Sequence, residues 1–119
     1  MVPHGKVCYL EIPAVDIEAS ANFYATVFGW RLRRRGDGSL AFDDIDGDNG
    51  VSGTWVTGRP ASTQPGLLVW IMVDDVAKTL EAIVAAGGAV VDPITPQGPG
   101  EFIATFADLA GNVLGVGQQ

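Results

Sequence analysis

The stretch VCYLEIPAVDIEASANFYATVFGW, residues 7–30, contains the pattern that decides the fold. Residues 7–12 form a run typical of a strand. Asp16 then fits a helix N-cap, because its carboxylate can accept hydrogen bonds from the free amides of the first helical turn. Apolar side chains follow at helical spacing until Gly29 supplies the stop: Ile17, Ala21, Tyr24 and Phe28. The stretch therefore predicts one strand followed by one helix.

Three further strands are predicted after this helix, over residues 30–35, 40–43 and 51–57. Gly36-Asp37-Gly38 is a hairpin-turn sequence between the first two of them. The first half of the chain thus predicts a βαβββ unit.

The second half repeats this order, beginning with a strand over residues 67–73 (LLVWIMV). Asp75 is its helix cap, and Gly87-Gly88 is the helix stop. Strands follow over residues 89–94, 102–106 and 113–116. The two caps are 59 residues apart (75 − 16 = 59), and the same offset takes Tyr9 to Leu68.

The repeat predicts an α+β protein of two tandem βαβββ units, with curved mixed sheets around a cleft. Unit one covers residues 5–57 and unit two residues 67–119, joined by a linker over 58–66 within a single domain 1–119. A lone unit would carry its helix on one sheet face and leave the other bare. Two units cover part of each other, within one chain or across a dimer, and leave a ligand cleft between them.

Composition restricts the classes of partner. The formal net charge is −7, which argues against nucleic acid, because phosphates would repel the chain. The longest apolar run, residues 67–73, is too short to span a bilayer, and the first residues lack the apolar core of a signal peptide. We therefore expect a cytoplasmic protein without a membrane partner. The single cysteine, Cys8, has apolar neighbours and is predicted to be a buried structural thiol.

Strand alternation predicts which side chains face the cleft. On the first strand Tyr9 and Glu11 share one face, and the apolar residues between them belong under the helix. On the first strand of unit two the cleft face carries Leu68, Trp70 and Met72. The cleft should therefore be largely apolar and aromatic, with one carboxylate.

Four groups of motifs, in this order and spacing, resemble one superfamily. They are Glu11-Ile12-Pro13-Ala14 before Asp16, Phe23-Tyr24 with Phe28-Gly29-Trp30, Val73-Asp74-Asp75-Val76 with Gly87-Gly88, and Phe106-Ala107-Asp108 with Gly111-Asn112. Together they resemble the vicinal oxygen chelate superfamily, which includes lactoylglutathione lyase, extradiol dioxygenases, fosfomycin-resistance transferases and bleomycin-resistance proteins. The resemblance covers nearly the whole chain and implies a glyoxalase-like fold. It also implies a homodimer, because these sheets expose edges through which the family pairs.

The resemblance implies a divalent metal at four positions, where metal-dependent members carry His, Glu or Gln and use the ion as a Lewis acid. In this chain those positions fall on Tyr9, Leu68 and Gly115, with the fourth at Gly53 to within one residue because the preceding loop differs. If Gly53 faces the cleft, Val51 and Trp55 face it too, because residues two apart on a strand lie on the same face. Leucine and glycine have no ligating side chain, and the Tyr9 phenol, with a reference pKa near ~10, is a poor ligand. We therefore predict no metal and no other cofactor; the only histidine, His4, precedes the first strand and is expected at the surface.

Three functions are compatible with this cleft. The leading hypothesis is a metal-free binding protein that sequesters or senses a small, partly aromatic molecule. The alternative is a lyase or isomerase, with Glu11 and Tyr9 as base and acid or with a metal held by unusual ligands. Strand alternation points Glu11 into the cleft, where a buried carboxylate usually needs a partner; it could act as a general base, bind a cationic ligand, or be a hydrogen-bonded part of the structure. The third is an interaction module with a vestigial cavity.

Two charged clusters have alternative readings. The run Arg31, Arg33, Arg34 and Arg35 is either a solvated strand edge, where charge discourages edge-to-edge pairing, or an anion site. The acidic cluster Asp43, Asp44, Asp46 and Asp48 lacks the spacing and terminal Glu of an EF-hand and is expected to be a solvated turn.

Overall fold

Each half of the chain folds into one strand, one helix and three more strands in the computed structural model, which describes residues 2–47 and 49–119. Unit one consists of β1 (Tyr9–Pro13), α1 (Ile17–Phe28), β2 (Arg31–Arg34), β3 (Leu40–Asp43) and β4 (Ser52–Val56). Unit two consists of β5 (Trp70–Met72), α2 (Val76–Ala85), β6 (Ala89–Gly98), β7 (Glu101–Ala107) and β8 (Val113–Gln118). The predicted α+β fold of two tandem βαβββ units is confirmed.

Both helices begin at the aspartates that the sequence predicts. Asp16 Oδ1 accepts a hydrogen bond from the Ala19 amide at 3.1 Å, and Asp75 Oδ1 accepts one from the Lys78 amide at 3.0 Å. Gly29 ends α1 with φ 74°, in the left-handed region that glycine adopts at little steric cost. The capping residues therefore fix where each helix starts and where α1 stops.

The strand predicted over residues 67–73 is shorter in the structure and begins only at Trp70. The Val113 amide donates to the Ser62 carbonyl at 2.9 Å, so the linker takes the place beside β8 that Leu67 would have occupied. Leu67 consequently lies outside the sheet and is 93% exposed.

The strands form two four-stranded sheets, in the orders β1-β4-β3-β2 and β5-β8-β7-β6. In each sheet the first and last strands of the unit are parallel neighbours, and the other pairs are antiparallel. β1 and β5 each have one hydrogen-bonded neighbour and therefore lie at a sheet edge. Among the described residues, neither helix has the length and apolar character needed to cross a membrane.

The helix-bearing faces of the two sheets share one hydrophobic core. Phe106 of β7 packs against Phe23 and Phe28 of α1, with ring centroids 6.3 and 5.6 Å apart. Tyr24 of α1 stacks on Trp30 of its own unit, with ring centroids 4.7 Å apart. The opposite face of each sheet therefore points away from this core and is left open in the single chain.

A buried polar network joins the two units. The Tyr24 hydroxyl donates to Asp108 Oδ2 at 2.7 Å, and Asn112 Nδ2 donates to the same carboxylate at 2.9 Å and to the Pro13 carbonyl at 2.7 Å. Burial and the Asp108 charge raise the pKa of Tyr24 well above its usual value. The motif Asp108 with Gly111-Asn112, one of those that carry the family resemblance, thus holds unit two against unit one.

Candidate functional site

The open face of the first sheet is polar. Register places Tyr9 beside Ser52, and Glu11 beside Thr54, on adjacent strands. Asp43 lies beside Ser52 and opposite Arg31, so these side chains continue the same face toward β2. The face therefore presents hydroxyl, carboxylate and guanidinium groups around one aromatic ring.

Glu11 lies on this face, but it is exposed rather than buried. Its Oε1 is 3.1 Å from Arg59 Nη1, and about half of each side chain remains exposed. Within the single chain the carboxylate is therefore not buried, because this face of the sheet is open. The linker supplies the partner: Arg59 follows β4 and is separated from Glu11 by 48 residues in sequence.

Tyr9 is 42% exposed and is contacted by a cation. The guanidinium carbon of Arg35 lies 5.3 Å from the centroid of the Tyr9 ring, within the range of a cation–π interaction. The structure thus places Tyr9 and Glu11 on one face, each with an arginine beside it.

The open face of the second sheet is apolar by contrast. It holds a cavity of about 420 Å³ lined by Leu68, Trp70, Asp92, Pro93, Thr95, Ile103, Ala104 and Thr105. Trp70 is 48% exposed and Met72 is 65% exposed, as expected for β5 side chains that point away from the core. Asp92 Oδ2 accepts from the Thr105 hydroxyl at 2.6 Å, so the carboxylate is held in place by the neighbouring strand. Every residue that lines this cavity belongs to unit two, so the structure does not bring Tyr9 and Glu11 into it.

Gly115 forms the floor beneath Trp70. The two residues are register partners on β8 and β5, and a Cβ placed on Gly115 would lie only 2.2 Å from Trp70 Cε3. The missing side chain therefore leaves room for the indole ring, which rests directly over the glycine. Gly115 therefore shapes the cavity through the position of Trp70.

Gly53 and Trp55 do not face the cleft, and their predicted places were wrong. Their β1 partners are Leu10 and Ile12, whose side chains belong to the core. Trp55 is 3% exposed and its ring centroid lies 5.0 Å from that of Phe42. A Cβ on Gly53 would lie 2.2 Å from the Leu10 carbonyl oxygen, so this glycine permits close strand approach within the core.

The face predicted for β4 is shifted by one residue from the observed face. The residue of β4 that the sequence analysis missed on the open face is Thr54. Val73 donates to the Gly117 carbonyl, and Ala14 donates equivalently to the Val56 carbonyl. Counting back two residues makes Thr54 the counterpart of Gly115. The Thr54 hydroxyl donates to the Leu40 carbonyl at 2.7 Å. The sequence contained no signal for this shift beyond the different length of the loop before β4.

The corrected set of metal-equivalent positions is Tyr9, Thr54, Leu68 and Gly115. It offers one phenol and one hydroxyl already engaged with a backbone carbonyl, which do not fit the nitrogen, thiolate and carboxylate ligands that divalent ions prefer. Within residues 2–47 and 49–119, no group of three or more His, Cys, Asp or Glu side chains is placed to hold a metal ion.

Two residues that precede β1 also have predicted environments. His4 is exposed, in the turn that precedes β1. Cys8 is also exposed, so its prediction as a buried thiol was wrong. Cys8 comes one residue before β1, and among its neighbours the core begins with Leu10.

The acidic cluster is only partly the solvated turn that was expected, since Asp43 is the last residue of β3 and both Asp43 and Asp44 are half-buried. Asp43 accepts hydrogen bonds from Arg33 at 2.8 Å and from the Ser52 hydroxyl at 2.5 Å. Both hydrogen bonds lower the pKa of Asp43, and the one from Arg33 has the larger effect. Asp44 Oδ1 accepts from the Val51 amide at 2.7 Å and closes the loop before β4. Asp48 lies outside the described residues.

A sequence profile of the Glyoxalase/Bleomycin resistance protein/Dioxygenase superfamily matches residues 6–116. The chain belongs to this superfamily. A "Glyoxylase-like domain-containing protein" of Didymella fabae is 33% identical over 108 residues, covering 83% of this chain and 81% of that protein.

Solved structures of the superfamily share the fold. A glyoxalase/bleomycin resistance protein/dioxygenase family enzyme from Burkholderia phytofirmans PsJN matches with a TM-score of 0.73 and 18% identity, over 96% of this chain and 98% of that one. A glyoxalase-related enzyme from Fulvimarina pelagi matches with a TM-score of 0.69 and 24% identity, over 97% of this chain and 88% of that one. At these identities the likeness shows the fold of the superfamily and leaves the ligand open.

Proposed function

We propose that this superfamily member binds a small, flat, apolar or aromatic molecule on the open face of its second sheet, without a divalent metal. The observation that carries the proposal is the half-exposed Trp70 ring, held over Gly115 at the wall of a cavity of about 420 Å³. That volume falls in the range of small-molecule sites, about 300–1,000 Å³.

The surface chemistry of this face favours an aromatic ligand. Trp70 and Met72 expose large apolar area, and exposed apolar area on a sheet face is typical of a binding surface. A ligand ring stacked on the indole would remove that area from water and gain the favourable offset geometry of aromatic pairs. Asp92 and Thr105, already hydrogen-bonded to each other, provide the polar groups that would orient such a ligand.

The metal-free part of the proposal rests on the donor set. Tyr9, Thr54, Leu68 and Gly115 occupy the positions where the resemblance implies metal ligands, and their side chains do not fit a divalent ion. Elemental analysis of protein purified without chelator tests this part. Stoichiometric zinc, nickel, manganese or iron would refute it.

We extend the proposal to a homodimer. Both open faces point away from the shared core, and β1 and β5 each leave one strand edge unpaired within the chain. A second copy would cover these edges and enclose the open faces. Light scattering should give about twice the chain mass of 12.4 kDa; a monomer mass at micromolar concentration would refute the dimer.

Ligand binding itself is tested by thermal shift with a panel of aromatic small molecules. A ligand at a hundredfold excess over its dissociation constant should add about 2.7 kcal/mol of stability. Trp70→Leu should abolish the shift, whereas Trp70→Phe should retain part of it because a ring remains. If Trp70→Leu leaves the shift intact, the ligand does not occupy this cavity.

A lyase or isomerase remains the second candidate, because Tyr9 and Glu11 share the first sheet's open face and so can meet one substrate. In that case Glu11→Gln should abolish turnover of the substrate and leave the affinity of a ligand bound at Trp70 unchanged. Full turnover by Glu11→Gln would rule out Glu11 as the catalytic base.

A further inference from the structure

Four of the five arginines in the chain form ion pairs, and the exception lies on an open face. Arg31, Arg33, Arg34 and Arg59 pair with Asp46, Asp43, Glu18 and Glu11. Among the described residues, Arg35 has no carboxylate within ion-pair distance and its guanidinium forms no hydrogen bond. The nearby Asp37 is engaged elsewhere, since its Oδ1 accepts from the Ser39 amide at 2.9 Å and hydroxyl at 2.7 Å.

Arg35 and Tyr9 come from opposite edges of the first sheet, and their contact spans its open face. Arg35 follows β2, Tyr9 begins β1, and these are the two outer strands of the order β1-β4-β3-β2. Three strand spacings, about 14 Å, separate the two strands, and the register places Arg35 level with Pro13, four residues along β1 from Tyr9. The contact at 5.3 Å therefore requires both side chains to reach inward across β4 and β3.

The contact with the Tyr9 ring leaves hydrogen-bonding capacity on the Arg35 guanidinium. Within the described part of the chain its N–H groups have no acceptor, and the planar group carries five donors in a fork that suits a bidentate contact. Carboxylate and phosphate oxygens match that fork. The other charges of the same face are balanced in ion pairs, Glu11 with Arg59 and Asp43 with Arg33, whereas among the described residues Arg35 meets only the longer-range charge of Asp37.

We propose that Arg35, positioned by the Tyr9 ring, is an oxyanion-binding site on the open face of the first sheet, which takes the carboxylate or phosphate group of a small molecule. Within the described part of the chain, Arg35 is the residue of the arginine run that has no ion-pair partner. The site is separate from the Trp70 cavity, so it stands or falls independently of the aromatic-ligand proposal.

The test is a set of NMR titrations of the full chain with benzoate, phenyl phosphate and neutral benzyl alcohol. We expect at least one anion to shift the Arg35 Nε–H and Tyr9 resonances, and Arg35→Gln to weaken its binding by about tenfold or more. The anion that depends on Arg35 identifies the preferred group. Arg35→Lys, which keeps the charge but lacks the planar fork, should bind the anion with intermediate affinity. Binding by this variant would also show that the fold tolerates substitution of Arg35.

Arg34→Gln is the matched control, because the neighbouring arginine undergoes the same change but pairs with Glu18 of α1. Its effect on anion binding should stay within about twofold, since only the general charge changes. The proposal is overturned if neither anion binds in the millimolar range. It is also overturned if Arg34→Gln and Arg35→Gln weaken binding equally, or if benzyl alcohol depends on Arg35 as strongly as the anions do.

Discussion

Removing the Tyr24 hydroxyl tests the polar network that joins the two units. In Tyr24→Phe the ring still packs in the core, but the 2.7 Å hydrogen bond to Asp108 is lost. Hydrogen bonds to charged groups contribute about 1.5–3 kcal/mol. Asp108 keeps its bond from Asn112 Nδ2 at 2.9 Å and is not left unpaired, so we expect the lower end, about 1.5–2 kcal/mol of lost unfolding free energy. At this chain length the melting temperature should fall by about 6–8 °C.

The same substitution has a defined pH dependence. Because the folded state raises the pKa of Tyr24, the unfolded chain releases the phenol proton first, near pH ~10. The stabilisation is therefore complete below pH ~10 and is lost as pH rises toward the folded-state pKa. The difference in unfolding free energy between the native chain and Tyr24→Phe should shrink above pH ~10, by at most about 1.4 kcal/mol per pH unit.

Tyr9→Phe is the control, because Tyr9 is the only other tyrosine and its phenol is exposed. Urea unfolding at pH 7 should show a change of at most about 0.5 kcal/mol for this variant. Equal losses in the two variants, or a Tyr24→Phe loss below about 0.5 kcal/mol, would refute the role assigned to the buried network.

Three further substitutions test the packing of two glycines and the hydrogen bonds of one carboxylate. Gly53→Ala should cost about 1–3 kcal/mol of unfolding free energy, because its Cβ would meet the Leu10 carbonyl oxygen; an unchanged urea midpoint would place Gly53 outside the core. Gly115→Ala should cost less than about 1 kcal/mol, since the half-exposed Trp70 ring can move, and should shift Trp70 fluorescence; an unshifted emission would contradict the ring's position over the glycine. Asp43→Asn should flatten the acid limb of the stability curve, because the lowered pKa of Asp43 stabilises the fold above pH ~4 and that stabilisation is lost as pH falls; an unchanged acid midpoint would contradict this.

Local patterns were enough to predict the repeat. The caps Asp16 and Asp75 act within one helical turn, so the sequence places both helix starts correctly. Strand alternation likewise places Tyr9 and Glu11 opposite the core, since a face is fixed by the period of two. These features depend on neighbours close in sequence.

Long-range contacts account for the parts that the sequence did not predict. The face of β4 depends on its register with β1, which the loop before β4 shifts by one residue, and Trp55 therefore lies in the core rather than in the cleft. The partner of Glu11 comes from the linker, and the linker also displaces Leu67 from β8. Pairings over 40 residues or more leave no periodic signal in one sequence.

A fluorescence titration of chelator-treated protein tests the central claim most directly. Trp30 and Trp55 are buried, so the half-exposed Trp70 is the indole that a ligand in the proposed cavity would contact. We predict that a flat aromatic ligand found by thermal shift quenches this emission saturably without added metal, and that Trp70→Phe removes the quench. A ligand that stabilises the protein only when a divalent metal is restored, or that binds without changing Trp70 emission, would contradict the account.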